Sequence, residues 1–91
     1  MKLLYSKKYL KDIRRLKKRR FDMEKLKSLH ERILIGAFLP RDRDHALKGD
    51  LRDSRECHVS GDWVVIYRRR KEAEAIELLR TGTHQDVFKG Y

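Results

Sequence analysis

Up to residue 36 the apolar residues of this chain recur every three or four positions, and beyond residue 50 they alternate with polar ones. One change of period, from helical to strand-like, confines the chain to an α+β architecture in which helices come first and a meander of strands follows. Tyr9, Ile13 and Leu16 mark the first helical stripe, widened by Leu10, and Ser6 is placed to cap a helix running to about Lys18. A second helix is expected after Asp22, with Phe21 packing on Leu26 as a hydrophobic staple. Leu26, Leu29, Ile33 and Leu34 form its inward face, and Gly36 to Pro40 ends it. The two helices make an antiparallel hairpin, preceded by a short strand in residues 1–5. His30 is expected at the surface of the second helix.

Residues 40–50 read as a polar loop carrying His45, with Gly49 at a turn. Leu51 to Val59 alternates loosely, with Arg55, Cys57 and Val59 on one parity and Glu56 and His58 on the other. Ser60-Gly61-Asp62 is a tight-turn sequence, and Trp63-Val64-Val65-Ile66-Tyr67 is strongly strand-forming. Arg68 to Glu74 reads as a charged connection and Ala75 to Thr81 as a further strand. Gly82 is expected to break that strand before a short turn around His84 to Phe88. The expected fold is a single domain over 1–91: a helical hairpin on one face of a small, mainly antiparallel sheet, with the opposite face open to a partner.

Twenty-four Lys and Arg against fourteen Asp and Glu give a net charge of +10 with neutral histidines. So large an excess on 91 residues points to a polyanionic partner, most simply nucleic acid, although acidic proteins and anionic membranes use the same attraction. No apolar run approaches the roughly 18 residues of a membrane span. The N-terminus carries no apolar signal-peptide core, so a cytoplasmic chain is expected. The one cysteine, Cys57, has no disulfide partner and reads as a buried thiol.

Three histidines and an aspartate punctuate the strand half: His45, His58, Asp62 and His84. Imidazole gives or takes a proton near neutrality. Several such groups beside Arg55 and Arg80, whose planar donor forks suit phosphate, favour proton transfer around a phosphodiester. The histidines lack the close pairing of common zinc motifs, so no metal or other cofactor is expected.

Asp44-His45-Ala46-Leu47-Lys48-Gly49, Arg55-Glu56-Cys57-His58, Asp62-Trp63-Val64-Val65-Ile66-Tyr67 and Arg80-Thr81-Gly82-Thr83-His84, followed by Phe88, occur in an order and spacing that resemble the YafQ branch of the RelE-like toxins. These are ribonuclease partners of bacterial type II toxin–antitoxin systems, and the likeness spans nearly the whole chain. It implies a sheet of about four strands with helices on one side, and metal-independent cleavage of mRNA in the ribosomal A site. It also implies a small antitoxin that wraps and neutralises the protein.

Cleavage of that kind uses the RNA 2′-hydroxyl as nucleophile and needs a base, an acid for the 5′-oxygen, and cations for the developing charge. His84 is the leading candidate acid, His45 or Asp62 the base, and His58 a phosphate-positioning or proton-sharing group. Arg55, Arg80, Lys48 and Phe88 are candidate RNA contacts. Either arginine alternatively pairs with Glu56, Asp53 or Glu77 on the sheet. Glu56 either orients His58 or pairs with an arginine, and Trp63 and Tyr67 are expected in the core. The alternative function is a basic RNA- or ribosome-binding module without catalysis, and a weaker one is a small DNA-binding regulator.

Overall fold

Ser6 and Asp22 open the two long helices as their hydroxyl and carboxylate chemistry allows. In the computed structural model, which describes residues 1–51 and 53–88 (the side chain of residue 50 excepted), Ser6 Oγ accepts from the Tyr9 backbone at 3.0 Å. Asp22 Oδ1 accepts from the Glu24 backbone at 3.0 Å. The helices they cap are α1, Lys7–Lys18, and α2, Met23–Ile35, and Gly36 closes α2 in the left-handed conformation at φ 70°. A left-handed residue directly after the last turn favours glycine because other side chains crowd the backbone there.

The strands are β1 (Lys2–Tyr5), β2 (His45–Ala46), β3 (Arg55–Ser60), β4 (Trp63–Arg70) and β5 (Ala75–Thr83), and they form one sheet in the order β1-β5-β4-β3-β2. All neighbours are antiparallel except β1 and β5. A five-residue helix, α3 (His84–Phe88), follows β5. Three details of the strands depart from the sequence expectation. His45 sits on a short fifth strand rather than in a loop, because its neighbour Asp44 is tied to β3 and β4: Arg55 Nη2 donates to it at 2.8 Å and the Tyr67 hydroxyl donates to it as well. Strand β4 runs on through Arg70, its charged end matched to β5 by Arg68 and Arg70, which both pair with Glu77. Gly82 does not break β5 but lies inside it, opposite Val64.

Alternation in the strands separates two apolar layers. Trp63, Val65 and Tyr67 of β4, Cys57 of β3, and Ile76 and Leu78 of β5 face the long helices. There they pack with Tyr9, Leu16, Leu26, Leu29 and Ile33. Val64 and Ile66 face the other way and pack with Val87 of α3, flanked by Leu47, Leu79 and Phe88. Phe21 packs against the cluster that holds Leu26 and also meets the Trp63 ring edge-on, with centroids 5.0 Å apart. His30 is not a surface residue. It is half-buried between Tyr5 and Tyr9, with Nε2 2.6 Å from the Tyr9 hydroxyl, and burial pulls its pKa down to about 4, leaving it neutral.

Candidate active site

Residues directly opposite each other on paired strands share a face. The register His45↔Glu56, Glu56↔Ile66 and Ile66↔Arg80 therefore draws one row across β2, β3, β4 and β5 on the side away from the long helices. A second row, His58↔Val64↔Gly82, lies beside it. His84 follows two residues after Gly82, as the first residue of α3. Thr83 and Asp86 fix that start reciprocally: the Asp86 backbone N–H donates to Thr83 Oγ1 and the Thr83 N–H to Asp86 Oδ2, each at 3.2 Å.

The three imidazoles are oriented in one way. His45 Nδ1 donates to the Arg43 carbonyl at 2.7 Å, and His58 Nδ1 to the Gly61 carbonyl at 3.1 Å. His84 Nδ1 donates to the Asp62 carboxylate. Carbonyls and carboxylates only accept, so each Nδ1 carries a hydrogen. Each Nε2 then turns to a single atom, Glu56 Oε1, at 3.7 Å from His45, 3.3 Å from His58 and 3.2 Å from His84. Glu56 is 4% exposed. His84 alone has a carboxylate at both ring nitrogens, Asp62 at Nδ1 and Glu56 at Nε2, among the described residues. The bond to Asp62, reinforced by Glu56, raises the pKa of His84 above the ordinary histidine value, while the bond to His84 lowers that of Asp62.

His45, His58, Asp62 and His84 are thus brought together, with Glu56 as the hub that residue order alone left ambiguous. Its signal in the sequence was its parity with His58, one strand position shared by two polar groups inside an apolar sheet. The ring of Phe88 stacks beside His84, with centroids 5.9 Å apart and planes 16° apart. Lys48 is exposed in the segment after β2. Arg55 is not brought to the cluster: it pairs across from Tyr67 and is held by Asp44, on the side of the long helices. Arg80 shares the row of Glu56 and is bonded by Asp12 of α1, a partner outside the sheet carboxylates expected for it. Cys57 is fully buried, and burial raises its thiol pKa, which excludes it as a thiolate nucleophile.

Donor atoms of Glu56, His58 and His84 also lie within 4.8 Å of one another, so one ion with a preference for nitrogen and oxygen ligands fits between them. The surface of α1 contributes a separate feature, a basic patch formed by Lys11, Arg14, Arg15, Lys17 and Lys18.

Comparison with known proteins gives a consistent result. The family described as the bacterial toxin of type II toxin–antitoxin systems, YafQ, matches residues 1–89. The mRNA interferase toxin YafQ of Escherichia coli K12 is 40% identical over 87 residues, covering 92% of this chain and 91% of that protein. Among solved structures, the E. coli DinJ–YafQ toxin–antitoxin complex has a chain 34% identical with a TM-score of 0.85, covering 94% of each chain. A metal-bound toxin from Helicobacter pylori is 35% identical with a TM-score of 0.89, covering 97% of this chain and 99% of that one.

Proposed function

The chain belongs to the YafQ family of type II toxin–antitoxin toxins, and from that premise we propose that it is a ribosome-dependent endoribonuclease that cuts mRNA in the A site and halts translation. The observation that carries the chemistry is the convergence of three Nε2 atoms on Glu56 Oε1 while every Nδ1 is held from behind. In this reading His45, on the sheet edge, takes the proton from the 2′-hydroxyl. The oxygen attacks the adjacent phosphorus, the bond to the 5′-oxygen breaks, and His84 gives that oxygen its proton. The products are a 2′,3′-cyclic phosphate and a 5′-hydroxyl. Asp62 acts behind His84, holding the ring and favouring its charged form, and so is not available as the base. His58 positions the phosphate, Arg80 stabilises its developing charge, and Phe88 provides a surface against which a base can stack. Arg55, clasped by Asp44, secures the strand that carries Glu56 and His58.

The reaction needs no metal in this scheme, because RNA supplies the nucleophile and the histidines move both protons. An ion held by Glu56, His58 and His84 would act as a Lewis acid there and would occupy the same Nε2 atom that protonates the leaving group. Lys48 and the basic face of α1 bind RNA backbone, where affinity is supplied by charge and carries no sequence information. A cognate antitoxin neutralises the protein, as the E. coli relative is found in complex with DinJ.

Induced expression tests the reading. It should arrest growth and translation, and a folded His84→Ala variant should relieve the arrest. RNA or ribosome binding by the parent without cleavage would instead favour the non-catalytic binding module.

A further inference from the structure

Asp12 stands on the buried stripe of α1 between Tyr9 and Leu16, where the helical period calls for an apolar side chain, and it is 2% exposed. A carboxylate withdrawn from water is costly unless it is paired and hydrogen-bonded. Asp12 is paired densely. Its Oδ2 accepts from the Thr81 backbone at 3.0 Å and from Arg80 Nε at 2.8 Å, and its Oδ1 from Arg80 Nη2 at 3.2 Å and Arg15 Nη2 at 3.1 Å. Two of the four bonds run side by side to one guanidinium, which fixes the plane of the fork as well as its place.

The strand explains why such a clamp is needed. β1 pairs with β5 only as far as Leu78, so the outer edge of β5 beyond it is met by α1: Ser6 Oγ donates to the Leu79 carbonyl at 2.9 Å and Asp12 accepts from Thr81. Between Leu78 and Arg80 the register with β4 shifts by one residue, so Leu79 is an extra residue in the ladder. Such a bulge turns side chains to the other face. Simple alternation from Ile76 and Leu78 would send Arg80 toward the long helices. With the bulge it falls opposite Ile66, in the row of His45 and Glu56. An arginine re-aimed by a bulge has a long, rotatable arm, and Asp12 is the group that holds it.

The geometry points to Asp12 as the positioning residue for Arg80: it fixes the guanidinium for the phosphate and itself touches no substrate. This rests on the assignment of Arg80 to phosphate made above. A backbone N–H needs only a neutral acceptor, so the charge on Asp12 and its two-pronged hold serve the arginine.

Asp12→Asn, Arg80→Ala and the double variant, assayed for cleavage on translating ribosomes, form the test. Misplacing a charge-stabilising group by about 1 Å costs on the order of 10²-fold in rate. Asp12→Asn should therefore lower kcat by about that factor with KM little changed, Arg80→Ala should do the same, and the double variant should be no slower than Arg80→Ala. In the nitrogen-detected NMR spectrum the Arg80 Nε–H signal should be resolved and slow to exchange in the parent, and should merge with the other arginines in Asp12→Asn. If Asp12→Asn does not fold, Asp12→Glu, which keeps the charge and moves it by one methylene, is read in the same two ways. A folded variant with the parent's kcat, a loss that multiplies with that of Arg80→Ala, or an unchanged Nε–H signal would overturn the proposal. Full activity in Arg80→Ala would instead overturn the phosphate assignment beneath it, while the Nε–H signal still judges the clamp.

Discussion

Gly82→Ala perturbs the joint on which His84 is mounted, and its cost follows from the local geometry. Gly82 is buried within β5 at φ +149°, a conformation that residues with a Cβ rarely adopt. Holding an alanine there costs about 1–3 kcal/mol. The added methyl would lie 3.0 Å from Asp86 Cβ, 3.1 Å from Asp86 Oδ2 and 3.3 Å from Arg15 Nη2. Asp86 must then move, and it is the residue that completes the reciprocal cap with Thr83 and binds Arg19 at 2.8 Å. Losing the cap adds about 1 kcal/mol, whereas the Arg19 pair, being exposed, adds little. The sum is about 2–4 kcal/mol. For a domain of this size each kcal/mol lowers Tm by about 4–8 °C, so a fall of about 8–32 °C is expected in thermal unfolding followed by circular dichroism. Because His84 opens α3 two residues later, cleavage by the folded fraction should fall as well. A variant melting within about 3 °C of the parent would refute this account of the β5–α3 joint.

Glu56→Gln keeps an acceptor oxygen but removes the charge that three Nε2 atoms face, so the folded variant should lose about 10- to 100-fold in kcat. Its pH–rate profile should also lose its alkaline limb at a lower pH than the parent's, and an unmoved limb would remove Glu56 from the proton balance. In stability the sign is set by His84, whose pKa is raised through Asp62 and then Glu56. The contribution from that pairing is complete below the ordinary histidine range and is lost as pH rises through the folded value. Asp62, lowered by His84, contributes above the ordinary carboxylate range and loses that contribution as pH falls through its own folded value. Chemical denaturation across pH should therefore show a smaller loss on the alkaline side in His84→Gln than in the parent. Protein stripped of metal with EDTA and freed of the chelator before it meets translating ribosomes should cleave at an unchanged rate, while micromolar Cu2+ or Zn2+ should inhibit by taking the Nε2 of His84. A rate abolished by EDTA and restored by metal would reverse the metal-independent scheme.

Much of the fold is legible because local chemistry and the global pattern agree. Ser6 and Asp22 are polar residues just ahead of periodic apolar stripes, and both cap the helices expected of them. The unreadable parts are those where tertiary contacts override a local pattern. Leu78-Leu79 gives no parity signal, so the bulge that turns Arg80 to the histidine face is invisible until β4 is laid against β5. Gly82 reads as a breaker only while its partner Val64 is unknown. His30 looks like a polar residue on a solvated helix because Tyr5 and Tyr9, which enclose it, lie more than twenty residues away. At the candidate site the residue types were legible but their division of labour was not. Nothing in the residue order shows that the Asp62 carboxylate lies against His84 Nδ1. Nor does it show that Arg55 lies opposite Tyr67 and is held by Asp44, 11 residues earlier.

The ends left on the RNA report most directly on whether this histidine cluster drives attack by the 2′-hydroxyl. Message recovered from a translating extract, treated with the parent protein or with folded His84→Ala, can be mapped for cut sites and for the chemistry of both new termini. Cuts within codons in the A site are expected, with a 2′,3′-cyclic phosphate or its hydrolysed 3′-phosphate upstream, a 5′-hydroxyl downstream, and loss of those cuts in the variant. A 3′-hydroxyl with a 5′-phosphate, or undiminished cutting by His84→Ala, would contradict attack driven by the cluster.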